Sequence, residues 1–138
     1  VQHEIAPLLQ LDWDEIEHRK DVRQLDPDWD AYQTIEDSGC LRIFTARSDG
    51  VLVGYFVVLL MPSLHSRGLM QATADVIFLR KEYRKGFTGY RLFKFAEQCV
   101  KDDGAAVLHV TTTNMNLIDP LMEKLGYTAI ETKFEKVL

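Results

Sequence analysis

The chain has 138 residues, enough for one domain with a hydrophobic core, and 46% apolar against 27% charged residues fits a globular fold rather than a disordered or fibrous one. No apolar tract reaches the roughly eighteen residues of a spanning helix, and no export signal opens the sequence, so a cytoplasmic protein away from membranes is expected. The net charge of -5 is uneven: residues 1–40 carry eleven acids and three bases, a net of -8, and residues 41–138 carry ten acids and thirteen bases, a net of +3.

From Glu4 to His18 the apolar residues Ile5, Leu8, Leu9, Leu11 or Trp13, and Ile16 repeat at roughly helical spacing, with an acidic outer face. Asp26-Pro27 predicts a second helix start, with Asp26 as the cap and Pro27 at the first helical position. Trp29, Tyr32 and Ile35 would form its inner stripe, and Gly39 its end. Leu41 to Arg47 and Val51 to Leu60 read as two strands joined by Asp49-Gly50, a pair suited to a hairpin turn that needs positive φ twice. A loop follows from Pro62 to Gly68, then a third strand from Ala72 to Leu79. From Gly89 the period changes. Leu92, Phe93, Ala96, Cys99 and Val100 mark a helix that ends near Gly104. A strand over 105–112 and a short helix within 116–125, stopped by Gly126, come next. Tyr127 to Ile130 and Lys133 to Leu138 are expected to close the chain as two short strands. The order implies an α/β domain over 1–138: a mixed, twisted sheet, antiparallel at first, with helices on both faces.

Cys40 and Cys99 read as reduced thiols, because two cysteines this far apart make neither a disulfide framework nor a zinc motif. His3, His18, His65 and His109 show no ligand spacing either, so no metal is expected. Chemistry concentrates between the third strand and the long helix, in Arg84, Lys85, Gly86, Phe87, Thr88, Gly89 and Tyr90. A strand runs through a glycine-containing turn straight into a helix, whose first N–H groups lack intrahelical acceptors and can bind an anion. Arg84, Lys85 and Arg91 add charge. The pattern predicts a phosphate or pyrophosphate site, yet it is neither a Walker loop nor a dinucleotide fingerprint.

The run Glu82-Tyr83-Arg84 through Leu92, followed by a helix and Gly104-Ala105, resembles motif A of the GNAT N-acetyltransferase superfamily, whose pattern is Arg/Gln-x-x-Gly-x-Gly/Ala. Glu123-Lys124-Leu125-Gly126-Tyr127 resembles that family's fourth helix and its exit. The resemblance covers residues 40–138 by motif and 1–40 by topology, where the leading helices would wall the acceptor side. The wording from Arg84 to Glu97 also resembles small acetyltransferase-like proteins of bacteriophage genomes. The resemblance implies an acetyl-CoA-dependent N-acyltransferase. Backbone N–H groups from Lys85 to Tyr90 would hold the pyrophosphate, Arg84 and Gly89 matching the motif's leading Arg and last Gly. Ile77, Phe78 and Leu79 would lie along the pantetheine arm, between the strand 75–79 and the strand 107–112. Asn116, or Asn114, would contact that arm. Two positions depart from the pattern: Phe87 stands where the motif's first Gly belongs, and Met122 where many members have the Tyr that protonates the leaving thiolate. The family's usual first strand also has no counterpart before Glu4.

Transfer to an amine needs a neutral nitrogen near the thioester and a donor for its carbonyl oxygen. A backbone N–H of Phe78 or Leu79 is a candidate donor. Asp75, an acid in an otherwise apolar strand, is the candidate base, with His109 as the alternative. The acid excess over 1–40 points to a cationic acceptor, either a polyamine-like molecule or a basic protein segment. The competing reading is a GNAT-fold binding module that docks a basic protein, favoured by Phe87 and Met122. Nucleic acid is a poor fit to the overall acidity. Self-association stays open.

Overall fold

The computed structural model describes residues 2–113 and 118–138. Helix α1 spans Gln2–Ile16 and α2 spans Trp29–Asp37. Strands β1 (Leu41–Ser48), β2 (Val51–Pro62) and β3 (Met70–Leu79) come next. A single 3₁₀ turn at Lys81–Tyr83 leads into α3 (Thr88–Asp102), then β4 (Ala105–His109) and α4 (Asp119–Leu125). The strands lie in the order β1-β2-β3-β4, the first two pairings antiparallel and the last parallel.

The sheet buries both faces. Phe56, Val58 and Leu60 of β2 point to one side, where Leu92, Phe93, Ala96 and Val100 of α3 and Met122 of α4 cover them. Tyr55 and Val57 point to the other, against Ile5 and Leu8 of α1 and Trp29, Tyr32 and Ile35 of α2. That is the mixed sheet with helices on both faces expected from the alternation of periods. The hairpin turn is also as expected: Asp49 and Gly50 have φ of 48° and 79°.

One irregularity decides which way β3 faces. Val57 pairs with Val76, but the next residue of β2, Val58, pairs with Ala74. Asp75 is therefore the extra residue of a β-bulge. Because side chains alternate strictly along a strand, one extra residue reverses the faces. Ala72 and Ala74 pack toward α3, whereas Val76 and Phe78 pack toward α1.

Three sequence expectations need correction. The cap of α2 is Asp28, whose side chain accepts a hydrogen bond from the Ala31 N–H at 2.9 Å, not Asp26. Strand β4 stops at His109 rather than Thr112, because its pairing with β3 ends at Thr73↔His109. The two closing strands are absent among the described residues. Residues 128–138 are exposed throughout, with Phe134 at 90%. A β-like sequence with no face to bury has little to hold it in a sheet. Glu135 instead ties this segment to His18 and Arg23.

Candidate active site

Beyond Thr73, β3 runs on to Leu79 with no β4 partner beside it, so the two parallel strands part. Arg80 N–H donates to the Val53 carbonyl at 2.9 Å. That bond marks Gly54↔Leu79 as a pair that exchanges no ladder hydrogen bond, so the Leu79 N–H and C=O point away from β2. By the same alternation those of Ile77 point there too, whereas those of Phe78 face Tyr55. The open edge of β3 thus presents main-chain groups to a cavity of about 380 Å³. Ile77, Leu79, Leu121 and Ile118 give it apolar walls, and Thr111–Thr113 form the β4 side.

At one end of this cavity lies the start of α3. Gly86 has φ +106°, which L side chains rarely adopt, and makes the turn. Phe87 is the N-cap in a right-handed conformation and makes no side-chain cap bond. The first intrahelical bond runs from Arg91 N–H to the Phe87 carbonyl, 2.9 Å. The N–H groups of Thr88, Gly89 and Tyr90 precede it and have no acceptor within the helix. No acid occupies the first turn, so the positive end of the helix is open to an anion. Gly89 lines the cavity; a Cβ built there meets only ordinary contacts, 3.6 Å from Leu121 and 3.7 Å from Leu79.

Arg84 also lines the cavity, but its guanidinium is committed to the other wall. It donates to both Glu15 oxygens, at 2.6 and 2.9 Å, and through Nε to the Leu79 carbonyl at 2.7 Å. It stacks over Phe78, 5.6 Å from the ring centre. The pairing holds Glu15 below the usual carboxylate range, the hydrogen bond from Arg84 being the main cause. Arg84 thus ties the start of the loop to α1.

Two carboxylates face the cavity from the α1 side. Asp75, at the bulge, is exposed and accepts a hydrogen bond from the Tyr32 hydroxyl at 2.8 Å. Burial, and then that bond, push the Tyr32 phenol up to about 12. Asp12 of α1 is different: it is 4% exposed, the one buried charged residue in the core of the described chain. Burial is the main cause that raises its carboxyl to about 7. The nearby Glu15 charge adds to this and Arg84 opposes it. Tyr55, whose hydroxyl is buried without a hydrogen-bond partner among the described residues, is likewise pushed up by burial and by Asp12. Asp12, Ile16 and Val76 are shared with a second cavity of about 390 Å³, between α1, α2 and the segment 24–28.

Of the residues singled out in the sequence, Asp75, Ile77, Leu79, Arg84 and Gly89 meet around the first cavity. Phe78 is buried on the opposite face of β3. Lys85, Gly86, Phe87, Thr88 and Tyr90 build the turn and the helix start. Asn116 and Asn114 lie outside the described residues. Met122 does not face the cleft: it is in the core against α3, and its neighbour Leu121 lines the cavity. Asp12 was not singled out by sequence. Its signal was position: four residues after Leu8 and four before Ile16, it falls on the inward stripe of α1.

The model of the acetyltransferase (GNAT) family matches residues 3–127. No curated protein sequence matches the chain. Among solved structures, a ribosomal-protein-alanine N-acetyltransferase from Brucella melitensis biovar Abortus 2308 superposes with a TM-score of 0.71 at 18% identity, over 99% of this chain and 92% of that one. A transcriptional regulator from Bacillus halodurans C-125 gives 0.80 at 19%, over 100% and 95%. A third structure, in complex with the bisubstrate analogue CoA-S-monomethyl-acetylneamine, gives 0.67 at 18%, over 87% and 86%. At these identities the likeness is one of fold.

Proposed function

The chain belongs to the acetyltransferase (GNAT) family, and on that premise we propose that it moves an acetyl group from acetyl-CoA to a primary amine by direct attack. The observation that carries this is the continuity of the open β3 edge with the uncapped start of α3. One offers main-chain hydrogen bonds to an extended amide-bearing arm, the other unpaired N–H groups to a pyrophosphate. Both sit on one cavity with apolar walls, so the residues present suit the pantetheine and diphosphate parts of CoA.

Leu79 N–H is the donor for the oxygen that gains charge as the amine attacks, and Ile77 N–H, about 6.6 Å back along the strand, serves the amide-bearing arm. Phe78, the other candidate, has its N–H turned toward β2. Asp75, the candidate base of the sequence, holds the arriving ammonium group at the mouth of the cavity, with Tyr32 fixing the carboxylate. The second cavity is the entry for the acceptor. Glu17, Asp26 and Asp28 line it beside Trp13 and Tyr32, which suits a cation with some apolar surface, such as a polyamine or a basic protein segment. Aminoglycoside N-acetyltransferases among the structures of the same fold are consistent with an amine-rich acceptor.

The test is turnover. The purified protein is incubated with acetyl-CoA and a panel of polyamines, aminoglycosides, lysine peptides and neutral amines, and thiol release is followed with mass detection of the acetylated product. Product from cationic members supports the reading. Binding of acetyl-CoA without product from any amine would overturn it.

A further inference from the structure

Two cavities meet at a single buried carboxyl group. The first holds the open edge of β3 and the start of α3, the second the acidic and aromatic lining of α1 and α2. Only Asp12, Ile16 and Val76 belong to both, and Asp12 alone of these can exchange a proton. We propose that Asp12 is the proton acceptor of the transfer reaction: a ligand in one cavity reaches one in the other past its carboxyl group. The inference rests on the acetyl-transfer reading and adds the proton's destination to it.

The surroundings suit the role. Asp12 faces Glu15 on its own helix, Arg84 just after the 3₁₀ turn, and Tyr55 of β2; Tyr32 of α2 and Asp75 of β3 also act on Tyr55. Arg84 is held by both oxygens of Glu15, so its charge is largely matched and does not pair Asp12 directly. Little is left to stabilise a carboxylate there, and the group sits near 7. A base is most effective when its own pKa lies near the working pH. Tyr55, buried and unpartnered among the described residues, lies near enough to be acted on by the Asp12 charge.

The step balances without a further reagent. The ammonium group passes one proton to the Asp12 carboxylate and becomes a neutral amine. Its lone pair forms the C–N bond, the C–S bond breaks, and its electron pair leaves on sulfur. The second nitrogen proton goes to that sulfur, giving the amide, free CoA thiol and protonated Asp12, which returns its proton to water. Asp75 holds the ammonium on the way in and Asp12 receives its proton.

The experiment compares the parent, Asp12→Asn and Asp75→Asn with acetyl-CoA and spermidine as the acceptor probe, over a range of pH. The parent kcat/KM for spermidine should rise through a pH of about 7. Asp12→Asn should lose that inflection and at least about a hundredfold in kcat, with the KM for acetyl-CoA unchanged. Asp75→Asn should raise the KM for spermidine and keep the inflection. Asn matches Asp in shape and removes a buried charge, and thermal melting checks that the variant is folded. A folded Asp12→Asn protein with the parent's rate and pH profile overturns the role while leaving acetyl transfer intact. A parent that binds acetyl-CoA and acetylates neither spermidine nor any other amine overturns the transfer reading, and Asp12's role falls with it.

Discussion

Asp12→Asn should make the protein more stable, by an amount that grows with pH. Asp12 is 4% exposed, and burial lifts its carboxyl from the ordinary 3.8 to about 7. Between those values the folded chain keeps a proton that the unfolded chain has released. Stability therefore falls as pH rises through that window and levels off above it. At about 1.36 kcal/mol per pKa unit, the rise from 3.8 to about 7 corresponds to about 4 kcal/mol at most. Asn has no such titration. Urea denaturation of parent and variant at about pH 4, 6 and 8 reads the difference directly. The variant's advantage should widen by several kcal/mol from the lowest to the highest pH, with nearly all of the change below about pH 7. An advantage that stays constant with pH, or a variant less stable at every pH, would refute the claim that Asp12 is buried against its charge.

Gly54→Ala should cost about 1–3 kcal/mol, because a Cβ there would lie 2.8 Å from the Phe78 carbonyl and 2.7 Å from a Leu79 methyl. The same shift of Leu79 should weaken acetyl-CoA binding, read by calorimetry; an unaltered Tm and affinity would contradict the close approach of β2 and β3. Met122→Tyr should lower stability by about 1–3 kcal/mol by overpacking the core, whereas a stable variant would mean that position 122 faces the cleft after all. Asp26→Asn should raise the KM for spermidine at low ionic strength and lose that effect at high salt, since surface fields are screened over about 8–10 Å in physiological buffer. Equal KM values at all salt concentrations would mean that Asp26 serves only solubility.

The parts of the fold that were legible in the sequence are those with one dominant local signal. Asp49-Gly50 demanded positive φ twice, and the three-and-four spacing from Leu92 to Val100 left no alternative to a helix. The turn into α3 was legible for the same reason, since Gly86 stands between a strand and a helix and takes a positive φ. Features set by packing were not. Arg84 looked like a phosphate ligand because its charge is visible in the sequence while its partner Glu15, 69 residues away, is not. Met122 and Leu121 are neighbours, and only the seating of α4 on α3 decides which of them faces the cleft. The bulge at Asp75 depends on the register of β3 against β2. Asp12 was hidden by its own class, because an acid in an acid-rich helix reads as surface until the helix is seen against the sheet. The closing strands failed in the opposite direction. Their local pattern was adequate, but residues 128–138 meet no face that would bury it.

Acetyl-CoA binding at the start of α3 and the open edge of β3 is tested most directly by Gly89→Asp. An acid in the first turn favours the helix by about 0.3–1 kcal/mol through the dipole, and a Cβ at Gly89 meets nothing closer than 3.6 Å. The variant should therefore fold at least as well as the parent. Its carboxylate would stand among the N–H groups of Thr88 and Tyr90, where a diphosphate needs them. Calorimetric titration with acetyl-CoA should show an affinity at least about tenfold weaker than the parent's, or about 1.4 kcal/mol, with the Tm preserved or raised. A folded Gly89→Asp protein that binds acetyl-CoA as tightly as the parent would place the diphosphate elsewhere and contradict this assignment.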